Sequence, residues 1–309
     1  MKILIYGAGV LGSIIAVRLK QAGEEVTVLA RGRRLEDIRR DGIVLERFEN
    51  GERTRAETPV VERLGPDDSY DLVLVVMGMH QVPALLPVLA ANRHTPNLLF
   101  LGNSVSGGEQ LTAALGKQRV LRGFLLASGT IAGGFVRWAY GERRKAGLII
   151  GEMDGSITPR LAEVAAVLHK TGFGVEQCTD IDAYLKTHAA MIASLGAAVY
   201  IAGGTPLMLA QNAAASALAV GGIRESLRAL QALGVPLLPK GVHLYLWIPA
   251  PIQMLFLRRM VRSKEVGYAF AHADKARPEI RLILDELMVL LRRSGRSMPA
   301  LEELNRQFH

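Results

Sequence analysis

Short apolar runs alternate with amphipathic stretches along the first half of the chain. The runs Lys2–Tyr6, Glu25–Ala30 and Asp71–Met77 predict strands. Between the first two, Leu11–Ala22 has the apolar period of a helix. The pattern continues downstream, with strands predicted at Asn97–Leu101 and Val120–Ala127 and helices at Val82–Ala91 and from about Glu109. Strands that alternate with helices in this way predict a parallel sheet covered by crossover helices.

Two segments of the first half depart from this alternation. Ile43–Arg47 and Thr58–Val61 flank a polar, glycine-containing turn, which predicts a β-hairpin. The stretch from Ser128 to Met153 is rich in glycine and aromatic residues and lacks a helical period, so it predicts antiparallel strands at the edge of the sheet. A helix at Thr158–Lys170 and a strand at Gly174–Gln177 are expected to close the domain.

Strand patterns disappear after Thr179. Apolar periodicity predicts helices in the remainder, at Asp182–Ala202, Leu207–Val220, Ile223–Leu233, Gln253–Val261 and Pro278–Arg293. A chain of 309 residues also exceeds the size of most single cores. We therefore predict an α/β fold in two domains: a Rossmann-type doubly wound sheet over residues 1–177, followed by an all-α C-terminal domain over residues 178–309.

No charged residue occurs between residues 189 and 222. A membrane-spanning helix needs about 20 apolar residues, so this stretch has two interpretations. The sequence Gly203-Gly204-Thr205-Pro206 interrupts it, and much of the rest is alanine. These features favour two helices buried in the second domain, and we expect no integral membrane span.

The chain has 37 basic and 29 acidic residues, which give a formal net charge of +8. A basic excess suits an anionic partner such as nucleic acid, a membrane surface or a phosphorylated ligand. The basic residues are scattered, apart from short clusters at Arg31–Arg40 and Arg258–Lys264, and no nucleic-acid-binding motif occurs. Nucleic acid is therefore not an expected partner.

A single cysteine, Cys178, and seven histidines limit the available chemistry. One cysteine builds no disulfide framework, and no histidine pair has the spacing of a metal motif, so no metal is expected. The N-terminus carries no long apolar leader. Together these features predict a protein of a reducing compartment, with a cytoplasmic location.

A glycine fingerprint, Gly7-x-Gly9-x-x-Gly12, follows the first predicted strand and opens the first predicted helix. In this motif the first glycine permits a tight turn, the second lets the backbone approach a pyrophosphate, and the third lets helix and strand pack closely. The helix N-terminus adds free amides and a positive dipole end. We therefore interpret these three glycines as cofactor-binding residues; a glycine turn without a nucleotide is the alternative.

The end of the second predicted strand distinguishes between the two common dinucleotides. Enzymes that use NAD place an acidic residue there to bind the ribose 2′-hydroxyl. Here the strand ends at Arg31, and Arg33 and Arg34 follow closely. A guanidinium binds the 2′-phosphate of NADP through a bidentate, charge-assisted fork. We therefore predict NADP as the cofactor, held by Arg31 with assistance from Arg33 or Arg34; solvated loop arginines are the alternative.

The first helix predicted in the second domain carries a lysine, Lys186, in its first turns. An ammonium group could donate a proton to the alkoxide that forms when a hydride reaches a carbonyl carbon. It would also stabilise the negative charge that develops on the oxygen. Because most lysines are solvated, a surface lysine is the alternative.

Taken together, these features resemble the ketopantoate reductase family over nearly the whole chain. The matching stretches are Gly7 to Gly12, Arg31, Val75 to Gln81, Gly102 to Val105 and Tyr184 to Lys186, with Glu265 downstream. That family reduces a 2-oxo acid with NADPH, so the resemblance implies NADP and a small 2-oxo acid substrate. It also implies that Lys186 is the catalytic proton donor, that Glu265 binds the substrate hydroxyl, and that Asn103 contacts cofactor and substrate.

Several positions differ from the family pattern. The family's second lysine falls on Gly78, its two asparagines beyond the catalytic lysine fall on Ala190 and Ser194, and the serine ahead of its glutamate falls on Gln253. A buried substrate group left without its partner loses roughly 1–3 kcal/mol. We therefore expect an NADPH-dependent reductase of a 2-oxo acid or related small carbonyl compound that is more apolar than ketopantoate.

Two other functions stay open. The missing lysine and asparagine are also compatible with a non-catalytic NADP(H)-binding regulatory protein, which would bind cofactor without turnover. A peripheral membrane protein that uses the uncharged stretch is a third hypothesis. The apolar run from Leu244 to Leu257 is interpreted as core or as the contact surface of a homodimer.

Overall fold

The computed structural model describes residues 1–140, 147–263, 267 and 273–308. The chain divides into two compact units. The first contains Met1–Gly102 and Gly107–Ile181, and the second contains Asn103–Ser106 and Asp182–His309. The short segment Asn103–Ser106 therefore belongs with the C-terminal half, although it lies in the N-terminal half of the sequence.

Twelve strands are present in the described part of the first unit. They are β1 (Lys2–Tyr6), β2 (Glu25–Leu29), β3 (Ile43–Arg47), β4 (Arg53–Ala56), β5 (Val60–Val61), β6 (Leu72–Val75), β7 (Asn97–Leu101), β8 (Val120–Leu125), β9 (Ala127–Ala132), β10 (Phe135–Tyr140), β11 (Leu148–Glu152) and β12 (Val175–Gln177). Eight of them form one sheet in the order β12-β11-β8-β7-β6-β1-β2-β5. The strand order reverses between β1 and β6, which lie side by side in parallel. The predicted Rossmann-type doubly wound sheet is confirmed.

Helices cover both faces of this sheet. They are α1 (Val10–Gln21), α2 (Gly32–Asp41), α3 (Leu86–Ala91, preceded by a 3₁₀ turn at Met79–Leu85), α4 (Gly108–Leu115) and α5 (Pro159–His169). Successive residues of β1 alternate between two cores, with Ile3 and Ile5 in one and Leu4 and Tyr6 in the other. A strand buried on both faces is apolar at every position, which explains the continuous runs in the sequence.

The predicted hairpin between Ile43–Arg47 and Thr58–Val61 is wrong. The antiparallel partner of β3 is β4, whereas β5 pairs in parallel with β2 in the main sheet. Only Ala56 of β4 is buried, so the strand has no apolar run by which it could be recognised. Strands β3 and β4 join β9 and β10 in a separate four-stranded sheet, in the order β4-β3-β10-β9, which packs against α1.

The antiparallel strands expected at the sheet edge between Ser128 and Met153 are confirmed only in part. Strand β11 pairs antiparallel with β8 in the main sheet, but β9 and β10 form a hairpin in the second sheet. At Gly129 a Cβ atom would collide with the carbonyl oxygen of Arg137 and lie 2.9 Å from Val10. The missing side chain therefore lets β9 approach both its neighbour and the start of α1.

The described part of the second unit is helical, as predicted. Its helices are α6 (Ile181–Ile201), α7 (Pro206–Gln211), α8 (Ala213–Ala232), α9 (Val242–Tyr245), α10 (Ala250–Met260), α11 (Ala273–Arg292) and α12 (Pro299–Phe308). Helix α8 contacts α10, α11 and α12. Among the described residues, no helix combines the length and the apolar character needed to cross a bilayer.

The two helices predicted at Leu207–Val220 and Ile223–Leu233 are instead a short α7 and one continuous α8. The expected break at Gly221-Gly222 does not occur. A Cβ at Gly222 would lie 2.7 Å from Leu304 and 3.0 Å from the Ser194 hydroxyl. These glycines therefore serve close packing of three helices, a contact that local periodicity does not reveal.

Candidate active site

The glycine turn lies between the end of β1 and the start of α1. Gly7 has a φ of +120°, and a Cβ there would collide with the Val76 carbonyl oxygen. A Cβ at Gly12 would overlap the carbonyl oxygen of Gly7. Packing of strand, turn and helix therefore requires glycine at both positions, with or without a ligand.

Gly9 is different from its two neighbours in the fingerprint. A Cβ at Gly9 would meet no atom within 4 Å, and the φ of −70° is open to any residue. The glycine is therefore not needed for packing, and the space that a side chain would enter is free. This space lies at the N-terminal end of α1, where backbone amides and the helix dipole favour an anion. A pyrophosphate fits this cradle.

Arg34, on α2, forms hydrogen bonds to the glycine turn and to two neighbouring segments. Its Nε donates to the Ala8 carbonyl at 3.1 Å, its Nη2 donates to the Ser13 hydroxyl at 3.0 Å, and its Nη1 donates to the Gly134 carbonyl at 3.0 Å. Burial lowers the pKa of Arg34 from its ordinary value. One guanidinium thus ties the glycine turn, the first turn of α1 and the β9–β10 turn together.

Arg31 occupies the position directly after β2. Its Nε donates to the Glu62 carbonyl at 3.3 Å and its Nη2 donates to the Tyr6 hydroxyl at 3.3 Å. The side chain is exposed, as is that of Arg33. The Glu62 carboxylate forms an ion pair with Arg39, in which Oε1 lies 3.5 Å from Nη2. Two exposed guanidinium groups therefore stand at the carboxyl end of the strand.

Asn103 belongs to the second unit and is fixed there by α11. Its Nδ2 donates to Glu279 Oε1 at 2.9 Å, while its Oδ1 is buried without a hydrogen-bond partner among the described residues. Glu286, further along α11, accepts hydrogen bonds from the backbone amides of Val105 at 3.1 Å and Ser106 at 3.2 Å. Helix α11 therefore sets the position of this loop and leaves one amide oxygen available to a donor.

Lys186 lies on α6, in the same unit as Asn103. Its ammonium forms an ion pair with Asp182 one turn earlier, and most of its side chain is shielded from solvent. Tyr184 and His188 flank it with parallel rings whose centroids are 6.4 Å apart. Glu265, the expected hydroxyl-binding residue, lies outside the described residues.

Three positions that differ from the family pattern are part of the interior of the second unit. Ala190 and Ser194 are fully buried, and the Ser194 hydroxyl donates to the Ala190 carbonyl at 3.1 Å. Gln253 is also buried; its side chain accepts a hydrogen bond from Arg224 at 3.0 Å and donates to the Tyr245 carbonyl. The polar atoms of Ser194 and Gln253 are therefore used within the protein.

The fourth differing position, Gly78, lies beyond the end of β6 in the first unit. A Cβ at Gly78 would lie 2.5 Å from Cε1 and 2.7 Å from Nδ1 of the His80 ring. The imidazole therefore occupies the space into which a longer side chain at position 78 would extend. A lysine there would have to displace His80.

Two residues of this region were not recognised in their roles from the sequence. Arg34, one of the two arginines expected to assist Arg31, donates hydrogen bonds to three protein oxygens, a role that the sequence did not predict. Glu279 was not singled out at all, because it lies 176 residues from Asn103 in the sequence. Helix α11 carries several charged residues, and no local signal connects this one to a distant loop.

Solved structures share this fold over the entire chain. A crystal structure of 2-dehydropantoate 2-reductase from Geobacter metallireducens GS-15 superposes with a TM-score of 0.81 at 20% identity, covering 100% of this chain and 99% of that one. The ternary structure of D-mandelate dehydrogenase with NADH and anilino(oxo)acetate superposes with a TM-score of 0.79 at 18% identity, covering 100% and 97%.

A glycine turn after the first strand of a doubly wound sheet defines a protein of the Rossmann-type class. Residues 3–155 match the family described as Ketopantoate reductase PanE/ApbA. A 2-dehydropantoate 2-reductase of Mesorhizobium japonicum is 28% identical over 204 residues, which are 59% of this chain and 61% of that protein. The chain belongs to the ketopantoate reductase family. It matches less than two thirds of the length of this curated relative.

Proposed function

We propose that the protein is an NADPH-dependent oxidoreductase that reduces a 2-oxo acid or a related small carbonyl compound. The observation that carries this proposal is the free space at Gly9, in front of the N-terminus of α1. The other two fingerprint glycines are explained by packing alone, whereas Gly9 is explained by a ligand that approaches the backbone.

The preference for NADP rests on the exposed guanidinium groups after β2. Arg31 is held by the Tyr6 hydroxyl and the Glu62 carbonyl, so its orientation costs little entropy on binding. Because Arg34 already donates three hydrogen bonds to the protein, one from each of its nitrogens, Arg33 is the better second contact for the 2′-phosphate. Two positive charges favour a phosphate over a hydroxyl at this position.

In the proposed reaction, NADPH, held by the glycine turn and Arg31, would when bound supply the hydride that reduces the carbonyl carbon. Lys186 donates a proton to the carbonyl oxygen, so that a hydroxyl group forms. Asp182 keeps the ammonium in one orientation through their ion pair. Asn103 would accept a hydrogen bond from cofactor or substrate through its unpaired Oδ1, while Glu279 holds the amide in place. By the family resemblance, Glu265 would bind the hydroxyl of the product.

The substrate is expected to be more apolar than ketopantoate. In the family pattern, positions 190, 194 and 253 carry polar side chains that bind substrate, but here the polar atoms of Ser194 and Gln253 are used internally and Ala190 has none. A substrate hydroxyl placed against them would lose its hydrogen bonds at a cost of roughly 1–3 kcal/mol each. Apolar or aromatic 2-oxo acids avoid that cost.

The proposal is tested by following NADPH oxidation with a panel of 2-oxo acids that differ in polarity. Replacing Lys186 by Ala should lower kcat by about 10²–10⁴-fold and leave NADPH affinity unchanged. The matched control is Lys117→Ala, which also removes a lysine from an ion pair, here with the exposed Asp154; its kcat should equal that of the wild type. Equal rates for the Lys186 and Lys117 variants would remove Lys186 from the mechanism.

A second candidate function is a non-catalytic NADP(H)-binding regulatory protein. It is favoured by the interior use of Ser194 and Gln253 and by the His80 ring next to Gly78. The two functions are separated by the same panel. NADPH binding without oxidation on any 2-oxo acid would support the regulator, and turnover that depends on Lys186 would support the reductase.

A further inference from the structure

Exposed apolar side chains are concentrated in one segment of the second unit. Ten large hydrophobic side chains are exposed among the described residues, and eight of them lie between positions 207 and 260. These eight are Leu207, Met208, Leu244, Trp247, Ile252, Leu255, Phe256 and Met260. Clustered exposed apolar groups are uncommon on a free protein surface and mark an interaction site.

Helix α10 carries the centre of this surface. Its inner side is anchored by Gln253 and Leu257, which are buried. Its outer side presents Leu255, which is 70% exposed, and Phe256, which is 63% exposed. Ile252 and Met260 lie four residues before and after Phe256, so they share this side at helical spacing. The helix therefore exposes four large apolar side chains to solvent.

The neighbouring turn that carries Trp247 is firmly attached. Trp247 is 83% exposed. On either side of it, the Tyr245 carbonyl accepts a hydrogen bond from Gln253, and the Ile248 carbonyl accepts one from Arg224 at 2.7 Å. These bonds tie the turn to α10 and α8. The exposed indole is thus presented by a fixed backbone.

The charge of the same segment has one sign. From Ser226 to Lys264 the sequence contains no acidic residue and six basic ones, namely Arg228, Lys240, Arg258, Arg259, Arg262 and Lys264. Arg259 lies on the outer side of α10, one turn beyond Leu255 and Phe256. Glu225, just before this segment, accepts hydrogen bonds from the Ala300 and Leu301 amides at 3.1 and 2.9 Å, so its carboxylate is already engaged.

We propose that the outer side of α10, together with Trp247, Arg259 and Arg262, binds the surface of an anionic lipid bilayer; we call it the α10 face. A helix that lies in a membrane interface inserts Trp, Phe and Leu side chains and places arginines among the anionic headgroups. Helix α10 offers this combination on one side while its other side stays packed in the protein.

A second copy of the chain fits this face less well. A two-fold contact brings the same patch of both copies together. Such a contact would gather the arginines of both copies in one interface, while residues 226–264 provide no carboxylate to pair with them. Like charges that meet in an interface are unfavourable. An anionic bilayer supplies the missing negative charge.

The two tryptophans make the proposal directly measurable. Trp247 is exposed, whereas Trp138 is 3% exposed in the core of the first unit, so a change in emission reports Trp247. Unilamellar vesicles of phosphatidylcholine with phosphatidylglycerol should shift the emission to shorter wavelength and sediment the protein. Vesicles of pure phosphatidylcholine should bind at least about 10-fold more weakly.

Two double variants and one control test whether the α10 face is the part of the protein that binds. Replacing Leu255 and Phe256 together by Ser should abolish the shift and the binding, and because both side chains are exposed the fold should be unaffected. Replacing Arg259 and Arg262 together by Gln should remove most of the preference for anionic vesicles. The matched control is Val289→Ser, which alters a side chain that is 68% exposed on α11 and should bind as the wild type does.

Two results would overturn the proposal. One is an emission spectrum that does not respond to anionic vesicles at any lipid concentration. The other is a blue shift that depends on protein concentration without lipid, together with a dimer in sedimentation equilibrium that the Leu255 and Phe256 double variant dissociates. The latter result would assign the α10 face to a second copy of the chain.

Discussion

The two units differ at the positions that correspond to the family's binding site. In the first unit, Gly9 leaves a space open that packing does not need. In the second unit, Ala190, Ser194 and Gln253 stand where the family pattern has polar substrate contacts. All three are buried; Ala190 has no polar side-chain atom, and those of Ser194 and Gln253 form hydrogen bonds within the protein. The first unit therefore has free space in front of α1, whereas the second unit uses the polar atoms of Ser194 and Gln253 internally.

The difference follows from how each half recognises its ligand. A pyrophosphate is bound by backbone amides, and the backbone of the glycine turn is fixed by contacts at Gly7 and Gly12 that tolerate no side chain. A substrate is bound by side chains, which can be replaced one at a time while the helices stay packed. Substrate choice can therefore change on a scaffold whose cofactor site does not.

The largest expected effect is a loss of stability in Gly12→Ala that Gly9→Ala does not share. In Gly12→Ala the new methyl group overlaps the Gly7 carbonyl oxygen, so we expect the free energy of unfolding to fall by about 3 kcal/mol or more. In Gly9→Ala the free energy of unfolding should change by less than about 0.5 kcal/mol. The NADPH affinity of this variant should fall by about 10-fold or more, because the methyl group enters the space proposed for the pyrophosphate.

Urea denaturation and NADPH titration of both variants measure these effects. Trp138 in a Trp247→Phe background reports the first unit, since the remaining tryptophan is buried there. If Gly9→Ala bound NADPH as tightly as the wild type, the free space at Gly9 would have to be assigned to something other than the cofactor.

The next effect concerns the second unit. Restoring an asparagine by Ala190→Asn should lower the free energy of unfolding by about 1–3 kcal/mol, because a larger polar side chain is forced into a fully buried position. Ala214→Asn, on the exposed start of α8, is the matched control and should have little effect. A stable Ala190→Asn variant that gained activity on ketopantoate would show that position 190 faces substrate.

Much of the fold could be predicted because its signals are local. Strand β1 is apolar at nearly every position since both of its faces are buried, and the glycines that follow mark the turn. Strand β4 was missed because only one of its four residues is buried. The continuity of α8 was missed because Gly222 is explained by Leu304, which lies on a different helix.

The candidate site likewise contains some residues that the sequence predicts and others that it does not. The positions of Gly9 and Arg31 follow from their distance to a strand end, which the sequence displays. The contacts of Arg34 with Gly134 and of Asn103 with Glu279 join residues that are far apart in the chain, and no periodicity links them. Sequence patterns thus identify backbone-defined positions better than side chains that act through distant partners.

A smaller effect tests the cofactor choice. In Arg31→Ala, NADPH affinity should fall by about 10–100-fold, because a charge-assisted contact to the 2′-phosphate is lost, and NADH affinity should stay the same. Arg40→Ala is the matched control, since Arg40 lies on the exposed side of α2 and pairs with Asp37 and Asp41. Fluorescence titration with both nucleotides measures the ratio of the two affinities. Equal losses of affinity for NADPH and NADH would show that Arg31 does not contribute to the preference for NADPH.

The smallest effect concerns an ion pair whose partners lie in the first unit. Glu24 is buried and accepts hydrogen bonds from Lys170 Nζ at 2.5 Å and from the amino group of Met1 at 2.5 Å. The hydrogen bond from Lys170, followed by that from the amino terminus, lowers the pKa of Glu24. A carboxylate whose folded pKa is lowered stabilises the protein above its unfolded pKa of about 4.3 and loses this contribution as the pH falls through the lower, folded value.

Glu24→Gln should therefore lower the free energy of unfolding by about 1 kcal/mol at neutral pH. The difference from the wild type should shrink as the pH falls below about 4, where the wild-type carboxylate also takes up a proton. In the Trp247→Phe background the emission of Trp138 should record this loss, whereas in a Trp138→Phe background the emission of Trp247 should not, because Glu24 and Lys170 lie in the first unit. An equal loss reported by both tryptophans would mean that the two units unfold as one.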